Sequence, residues 1–249
     1  MTSPHGRIHL WYPPYMKEVL ANHYPLAPFS EVPPRIFETE RLLLRALTIA
    51  DLDLIFETYT GDPIATNYMA WPRYAEPEDG RLFLEAVDAS FSGTPIGSAQ
   101  FSWLITLKGT GESIGGCGIG TDSETTAGGG YILNPRFWGK GYATEAFAAV
   151  VAWTRSQPDV HCIFATHHPD NPGSGAVMRK VGMTFARINS KENAYPNLGQ
   201  GFVEEVVYEW MRDPGESRQC ARGAGDTSRE ANKKPGLPLQ ERRVFMPRG

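Results

Sequence analysis

Arg136-Phe137-Trp138-Gly139-Lys140-Gly141-Tyr142-Ala143-Thr144-Glu145-Ala146 leads from a run with strand character, 129–133, into one with helical spacing, through a turn of two glycines with no acid in it. Glycines at 139 and 141 let the backbone turn sharply and approach a ligand closely, and the unpaired N–H groups of the next helix's first turn point at a bound anion. The turn reads as a phosphate cradle. A Walker loop is excluded, because Gly141 follows Gly139-Lys140 and Asn134 stands where the first glycine belongs. The dinucleotide fingerprint fails too, since Gly115, Gly116, Gly118 and Gly120 are wrongly spaced and run into no helix. What remains is Arg136-x-x-Gly139-x-Gly141.

Outward from this turn the hydrophobic period switches repeatedly. Residues 39–45 read as a first strand, and Thr48-x-x-Asp51 as a capping box before Leu52, Ile55, Phe56 and Tyr59 at helical spacing. Pro77-Glu78-Asp79 marks the start of a second helix with Leu82, Phe83, Ala86 and Val87 as its buried stripe. Three strands with short turns follow: Phe101, Trp103, Ile105 and Leu107 alternating, then 113–120, then 129–133. The helix after the phosphate turn shares Ala143, Ala146, Phe147, Val150 and Trp153 on one face. Beyond it lie a strand over 161–166, a helix capped by Asn171, begun by Pro172 and ended by Gly182, and strands over 183–188 and 202–210.

The 249 residues, 41% hydrophobic and 21% charged, suffice for one sizeable domain with appendages. Residues 1–35 form an irregular N-terminal extension rich in Pro, Tyr and His, 36–212 the domain, and 213–249 a polar tail whose composition supports no core of its own and reads as disordered. A net charge of −4 and a pI near 5.9 give no footprint for nucleic acid or an anionic membrane, and suit a cationic small substrate. Cys117, Cys162 and Cys220 suggest neither a disulfide framework nor a zinc site. No signal peptide or membrane span is visible, so a cytoplasmic protein, monomer or homodimer, is expected.

Two local signatures carry a family resemblance. The run from Gly130 through Ala146, with Arg136-x-x-Gly139-x-Gly141 inside it, resembles the pyrophosphate loop of the GNAT N-acetyltransferases, especially the RimJ/RimL-like branch containing the ribosomal-protein alanine acetyltransferases. Asp170-Asn171-Pro172-x-Ser174 continued by Lys180-Val181-Gly182-Met183 resembles that family's second signature, with Met183 in place of phenylalanine. The resemblance spans about 175 residues and the element order β-α-α-β-β-β-α-β-α-β-β, so an α+β GNAT fold is expected, with a mixed, mostly antiparallel sheet of about six to seven strands and about four helices.

It implies an acetyl-CoA-dependent N-acetyltransferase that moves the acetyl group to a primary amine, small or a peptide N-terminus, by direct attack in a ternary complex and without metal. The main chain of Tyr131 and Leu133 would pair with the pantetheine arm like an added strand, and the amides of Trp138, Gly139, Lys140, Gly141, Tyr142 and Ala143 would hold the pyrophosphate. Arg136 and Lys140 are either phosphate ligands or solvated charges, and Asn171, next to Ser174, is a helix cap, a pantetheine contact or both. The strands 129–133 and 161–166 would splay into a V, with an amide near Tyr131 as oxyanion donor. At two positions where relatives carry a base and an acid this chain has Thr166 and Met178. His168 is the expected base among alternatives that include His167, a water chain and an acid from another loop. The acceptor would enter between the loop bearing Tyr68, Trp71, Arg73 and Tyr74 and the connection 189–200 with Tyr195, where Glu204 would meet its ammonium. A non-catalytic acyl-CoA-binding module and a GNAT fold turned to other chemistry are the competing readings.

Overall fold

The computed structural model describes residues 28–95 and 98–212. Most of the N-terminal extension, 1–27, and the polar tail, 213–249, lie outside the described residues. The elements run β1 (Ile36–Glu38), β2 (Leu42–Ala46), α1 (Leu52–Ile55), α2 (Arg81–Phe91), β3 (Gln100–Leu107), β4 (Ser113–Thr121), β5 (Thr126–Leu133), α3 (Tyr142–Ser156), β6 (Cys162–His167), α4 (Pro172–Lys180), β7 (Thr184–Tyr195) and β8 (Gln200–Met211). One eight-stranded sheet in the order β1-β2-β3-β4-β5-β6-β8-β7 organises them. Neighbouring strands are antiparallel except β5 and β6, which run parallel.

The sheet therefore has more strands than expected. The strand expected over 39–45 begins only at Leu42: the Thr39 amide donates to the Leu42 carbonyl at 3.0 Å and the Leu42 amide to the Thr39 hydroxyl at 3.0 Å, closing a turn that sets a short extra strand, β1, ahead of β2. Side chain–backbone bonds of this kind compete with the ladder, and only the short β1 is left on the edge.

The expected capping box at Thr48 is present, the Asp51 carboxylate accepting from the Thr48 amide at 2.8 Å and from Arg45 on β2. A 3₁₀ turn, Ile49–Asp51, precedes α1, and a π turn, Phe56–Thr60, follows it. A second 3₁₀ turn, Pro77–Gly80, opens α2 and shifts its phase, so that Leu84, Val87 and Phe91 are buried while Leu82 is exposed. The expected stripe had included Leu82.

The core lies where β2 to β6 meet the helices, around Trp103, Phe101, Phe147 and Leu104. The described end of the N-terminal extension joins it: the buried Phe29 ring lies 5.7 Å from Phe101 and 5.3 Å from Trp153, and the Pro34 carbonyl accepts from Trp103 Nε1 at 3.0 Å. On β5, alternation sends Tyr131 toward Phe147 of α3, ring centroids 5.5 Å apart. On the opposite face of the neighbouring strand, Tyr59 from the π turn lies against Gly116.

β5 and β6 pair only through Thr126, Ala127 and Gly128 with Cys162, Ile163 and Phe164. Past that point β5 stays with β4, while β6 stays with β8 as far as His167. The expected V is thus present, closed at residues 126–128 and open toward the C-terminal ends of both strands. Gly128 permits the closure, because a Cβ there would sit 2.8 Å from the Phe164 ring.

Candidate active site

The open end of the V leads to the glycine turn. Gly139 and Gly141 have φ of 73° and 81°, a left-handed conformation that favours glycine, and Gly141 is the N-cap of α3 with no side-chain cap bond. The first-turn amides of a fifteen-residue helix are thereby left for an external acceptor. Asn134 braces the approach, its Oδ1 accepting from the Arg136 amide at 3.1 Å and its Nδ2 donating to the Thr58 carbonyl at 2.8 Å.

The phase of the β4–β5 ladder decides what β5 offers to the V. The Asn134 amide donates to the Ile114 carbonyl at 2.9 Å, so Asn134, Ile132 and Gly130 turn their main-chain groups to β4. Those of Tyr131 and Leu133 then face the other way, into the splay. The Leu133 carbonyl accepts from Trp138 Nε1 at 2.9 Å, which fixes the half-exposed indole at the mouth of the turn.

Tyr131 also crosses the V with its side chain. Its hydroxyl donates to the Ser174 carbonyl at 3.1 Å and lies 2.9 Å from Ser174 Oγ in the first turn of α4. Burial pushes this phenol up to about 12 against the smaller opposing effect of Ser174, so it remains protonated. Asn171 caps α4, its Oδ1 accepting from the Ser174 amide at 3.3 Å, and Gly182 ends the helix region with φ of 87°.

A cavity of about 1400 Å³ runs from the glycine turn through the V to the far side of the sheet. Of the expected donor residues, Tyr131, Leu133, Trp138, Gly139, Gly141, Tyr142, Ala143, Asn171 and Ser174 line it. Arg136 and Lys140 do not: Arg136 pairs with Glu112 at 3.5 Å on the surface, and Lys140 Nζ lies over the Phe137 ring.

Of the expected acceptor residues, Trp71, Tyr74 and Tyr195 line the cavity, the first two with ring centroids 5.4 Å apart. Asn197 ties their two segments together. Its Oδ1 accepts from the Arg73 amide at 2.8 Å, and its Nδ2 donates to the carbonyls of Thr66 at 2.7 Å and Trp71 at 3.0 Å. Residues 189–195 belong to β7 rather than to a loop, so the wall expected to be irregular is a strand up to Tyr195. Asn197→Ala removes three bonds and is expected to cost about 1–3 kcal/mol of local stability. Faster hydrogen exchange of the amides at 66–74, with the rest of the sheet unchanged, is the measurement that checks it.

Two expected residues are placed elsewhere. His168 is buried outside the cavity lining, its ring 4.6 Å from Tyr195 and 5.2 Å from Tyr68, and its Nδ1 accepts from the Asp170 amide at 3.1 Å. The chain leaves β6 at His167 and turns, so strand alternation no longer directs position 168. His167 does line the cavity, with Nδ1 2.7 Å from the His168 carbonyl. Burial lowers its pKa, and the nearby Arg179 and His168 add to this against the carbonyl bond.

Glu204 is exposed and Glu205 takes the inward place, 3% exposed. On β8, Glu205, Val207 and Glu209 share a face with Asn189 and Arg187 on β7 and with Thr166 and Phe164 on β6. Glu209 is paired with Arg187. Asp122, from the β4–β5 turn, lines the same cavity, and burial raises its pKa against the pull of Arg187. Arg187 thus pairs with Glu209 and acts on Asp122, and Glu205 lies on the same face of the sheet. Cys117 also lines the cavity, and burial pushes its thiol well above the usual range, so it is no thiolate. Among the described residues no group of His, Cys, Asp or Glu is placed to hold a metal, and no helix is long and apolar enough to cross a membrane.

Residues 41–184 match the Acetyltransferase (GNAT) domain family. The chain belongs to the GNAT acetyltransferase family. Among its relatives is an uncharacterized N-acetyltransferase of Bacillus licheniformis, p20, 33% identical over 55% of this chain and 75% of that protein. A GNAT-family acetyltransferase from Bacillus anthracis superposes with a TM-score of 0.58 at 26% identity, covering 71% of this chain and 98% of the other. The ribosomal alpha-N-protein acetyltransferase RimL, solved in complex with coenzyme A, gives 0.59 at 17% identity over 71% and 97%, a likeness of fold. GNAT membership accounts for the sheet order, the V and the glycine turn together.

Proposed function

We propose that this GNAT acetyltransferase transfers the acetyl group of acetyl-CoA to a cationic primary amine by direct attack. The observation that carries the reading is one continuous cavity, which joins the uncapped first turn of α3 and the inward-facing main chain of Tyr131 and Leu133 to the carboxyl groups on the far side of the V. The donor half fits a pantetheine pyrophosphate: left-handed glycines, unclaimed helix amides and a strand edge of the right phase.

Acetyl-CoA supplies the acyl thioester: the amine nitrogen bonds to the acyl carbon, the C–S bond breaks, coenzyme A leaves as its thiolate, and the second proton that the nitrogen gives up passes to that thiolate. The Tyr131 amide serves as hydrogen-bond donor to the carbonyl oxygen as negative charge gathers there. Glu205 receives the ammonium and takes its proton. Among the three carboxyl groups, Glu209 is level with Phe164 and Gly128 at the closed end of the V, and Asp122 lies in the β4–β5 turn beyond it. Glu205 instead follows the register pair His167–Val206, at the level where β6 has diverged from β5. The Tyr131 phenol, protonated and held by Ser174, positions α4 rather than moving a proton. The protonated state of Cys117 supports transfer without an acetyl-cysteine.

The test is release of free thiol from acetyl-CoA across a panel of monoamines, diamines and peptides with free N-termini, the last because RimL acts on a ribosomal protein. Turnover with cationic amines, falling as anionic groups are added to the acceptor, is expected. Binding of acetyl-CoA with turnover of no amine favours the non-catalytic module instead.

A further inference from the structure

We infer that Arg41 is a positioning residue for the donor site, which neutralises Glu145 on the first turn of α3 and so keeps that turn receptive to an anion. This rests on the donor reading above. Glu145 is the acid in the first turn of α3. A carboxylate there complements the helix dipole in the empty protein, but beside a bound pyrophosphate the same charge repels.

The β1–β2 turn captures that carboxylate. Oε1 accepts from the Thr39 hydroxyl at 2.6 Å and the Arg41 amide at 2.8 Å, and Oε2 from Arg41 Nε at 2.6 Å, with Nη2 at 2.6 Å as well. Burial pushes the Glu145 pKa up, yet these bonds more than offset it and the carboxyl lies below its ordinary range, ionised and paired.

The guanidinium reaches further than its ion pair. Nη1 donates to the Lys140 carbonyl at 3.0 Å, and the group stacks over the Tyr142 ring at 4.6 Å. Because the peptide unit is planar and trans, pinning the Lys140 carbonyl to Arg41 sends the Gly141 N–H the opposite way. Gly139, Gly141 and Tyr142 line the cavity while Lys140 does not. One side chain from a distant hairpin thus sets the peptide between the two left-handed glycines and cancels the charge behind it. A lysine lacks the planar fork that makes these contacts together.

The test is calorimetric titration of coenzyme A into the full chain, with KM for acetyl-CoA and kcat measured in parallel. Arg41→Ala is expected to raise the Kd for coenzyme A and the KM about tenfold while kcat moves less than about twofold, as loss of a charge-compensated anion site implies. Added salt should shrink that deficit. Arg41→Lys should fall between, which keeps the question answerable if the alanine variant folds poorly. Glu145→Gln should bind near the wild-type level, and Arg41→Ala with Glu145→Gln should recover most of the lost affinity. A double variant as weak as Arg41→Ala overturns the inference, as does a single Arg41→Ala that binds normally. Failure of the wild type to bind coenzyme A would overturn the donor reading itself.

Discussion

Gly141→Val is expected to abolish saturable acetyl-CoA binding while leaving a folded protein. Position 141 has φ of 81°, and a β-branched residue there meets its own carbonyl in a region that L residues avoid. Holding valine in that conformation costs about 1–3 kcal/mol, an amount the loop relieves by flipping the peptide rather than by unfolding the sheet. Flipping is the damaging outcome, because Gly141 is the N-cap of α3 and its main chain aims the first-turn amides. The new Cβ would also begin 3.5 Å from Arg41 Nη2, so its two methyl groups crowd the guanidinium bonded to Lys140 and Glu145. Kd for coenzyme A should rise by well over about tenfold, since several amide bonds to an anion are misaligned together. Gly109→Ala is the control, a glycine with open space around it and outside the cavity lining. Equal binding by Gly141→Val and the wild type would remove the glycine turn from the donor site.

The features legible in the sequence are those written in short-range chemistry. Gly139, Gly141 and Gly182 appear where left-handed backbone is required, and Asn171 and Pro172 where a helix begins. Each signal needs only its neighbours in the chain to be read. Features set by distant partners were not legible in the same way. Thr39 divides β1 from β2 in a turn bound to Glu145, 106 positions on, and no local pattern announces that contact.

The proposed acceptor side shows the same limit on a strand. Along β8 the even positions carry Phe202, Glu204, Val206 and Tyr208, and the odd positions Val203, Glu205, Val207 and Glu209. Both sets mix apolar and acidic residues, so a period of two leaves the inward face undecided. Register shifts between Phe185 and Arg187 and between Asn189 and Asn193 remove any simple count from β7 as well. The available signal was the pair of acids at 205 and 209 with a cation at Arg187, a spacing that places charge on one face only if β7 and β8 are neighbours. His168 lies off the cavity lining for a related reason, since the strand that would have aimed it ends at His167.

Glu205→Gln separates binding from chemistry most sharply. The amide keeps the shape of the carboxylate, so a folded protein with unchanged Kd for coenzyme A is expected, while neither a full negative charge for the ammonium nor a proton acceptor remains. Loss of a positioned general base costs about 10² to 10⁴ in rate, and kcat/KM for a protonated amine should fall by that order. An acceptor whose conjugate acid has a pKa below neutrality arrives already deprotonated and needs no such group. Its rate should fall far less, so the ratio of the two acceptors changes even if Glu205→Gln disturbs packing slightly. Glu204→Gln, on the exposed face of the same strand, should leave both rates within about twofold, as surface substitutions away from a site do. Should Glu205→Gln slow both amines equally, Glu205 serves the wall of the cavity and not the proton, and the acceptor nitrogen must lose its proton at another group. His167 is then the next residue to replace, being on the cavity wall and biased toward the neutral form by burial.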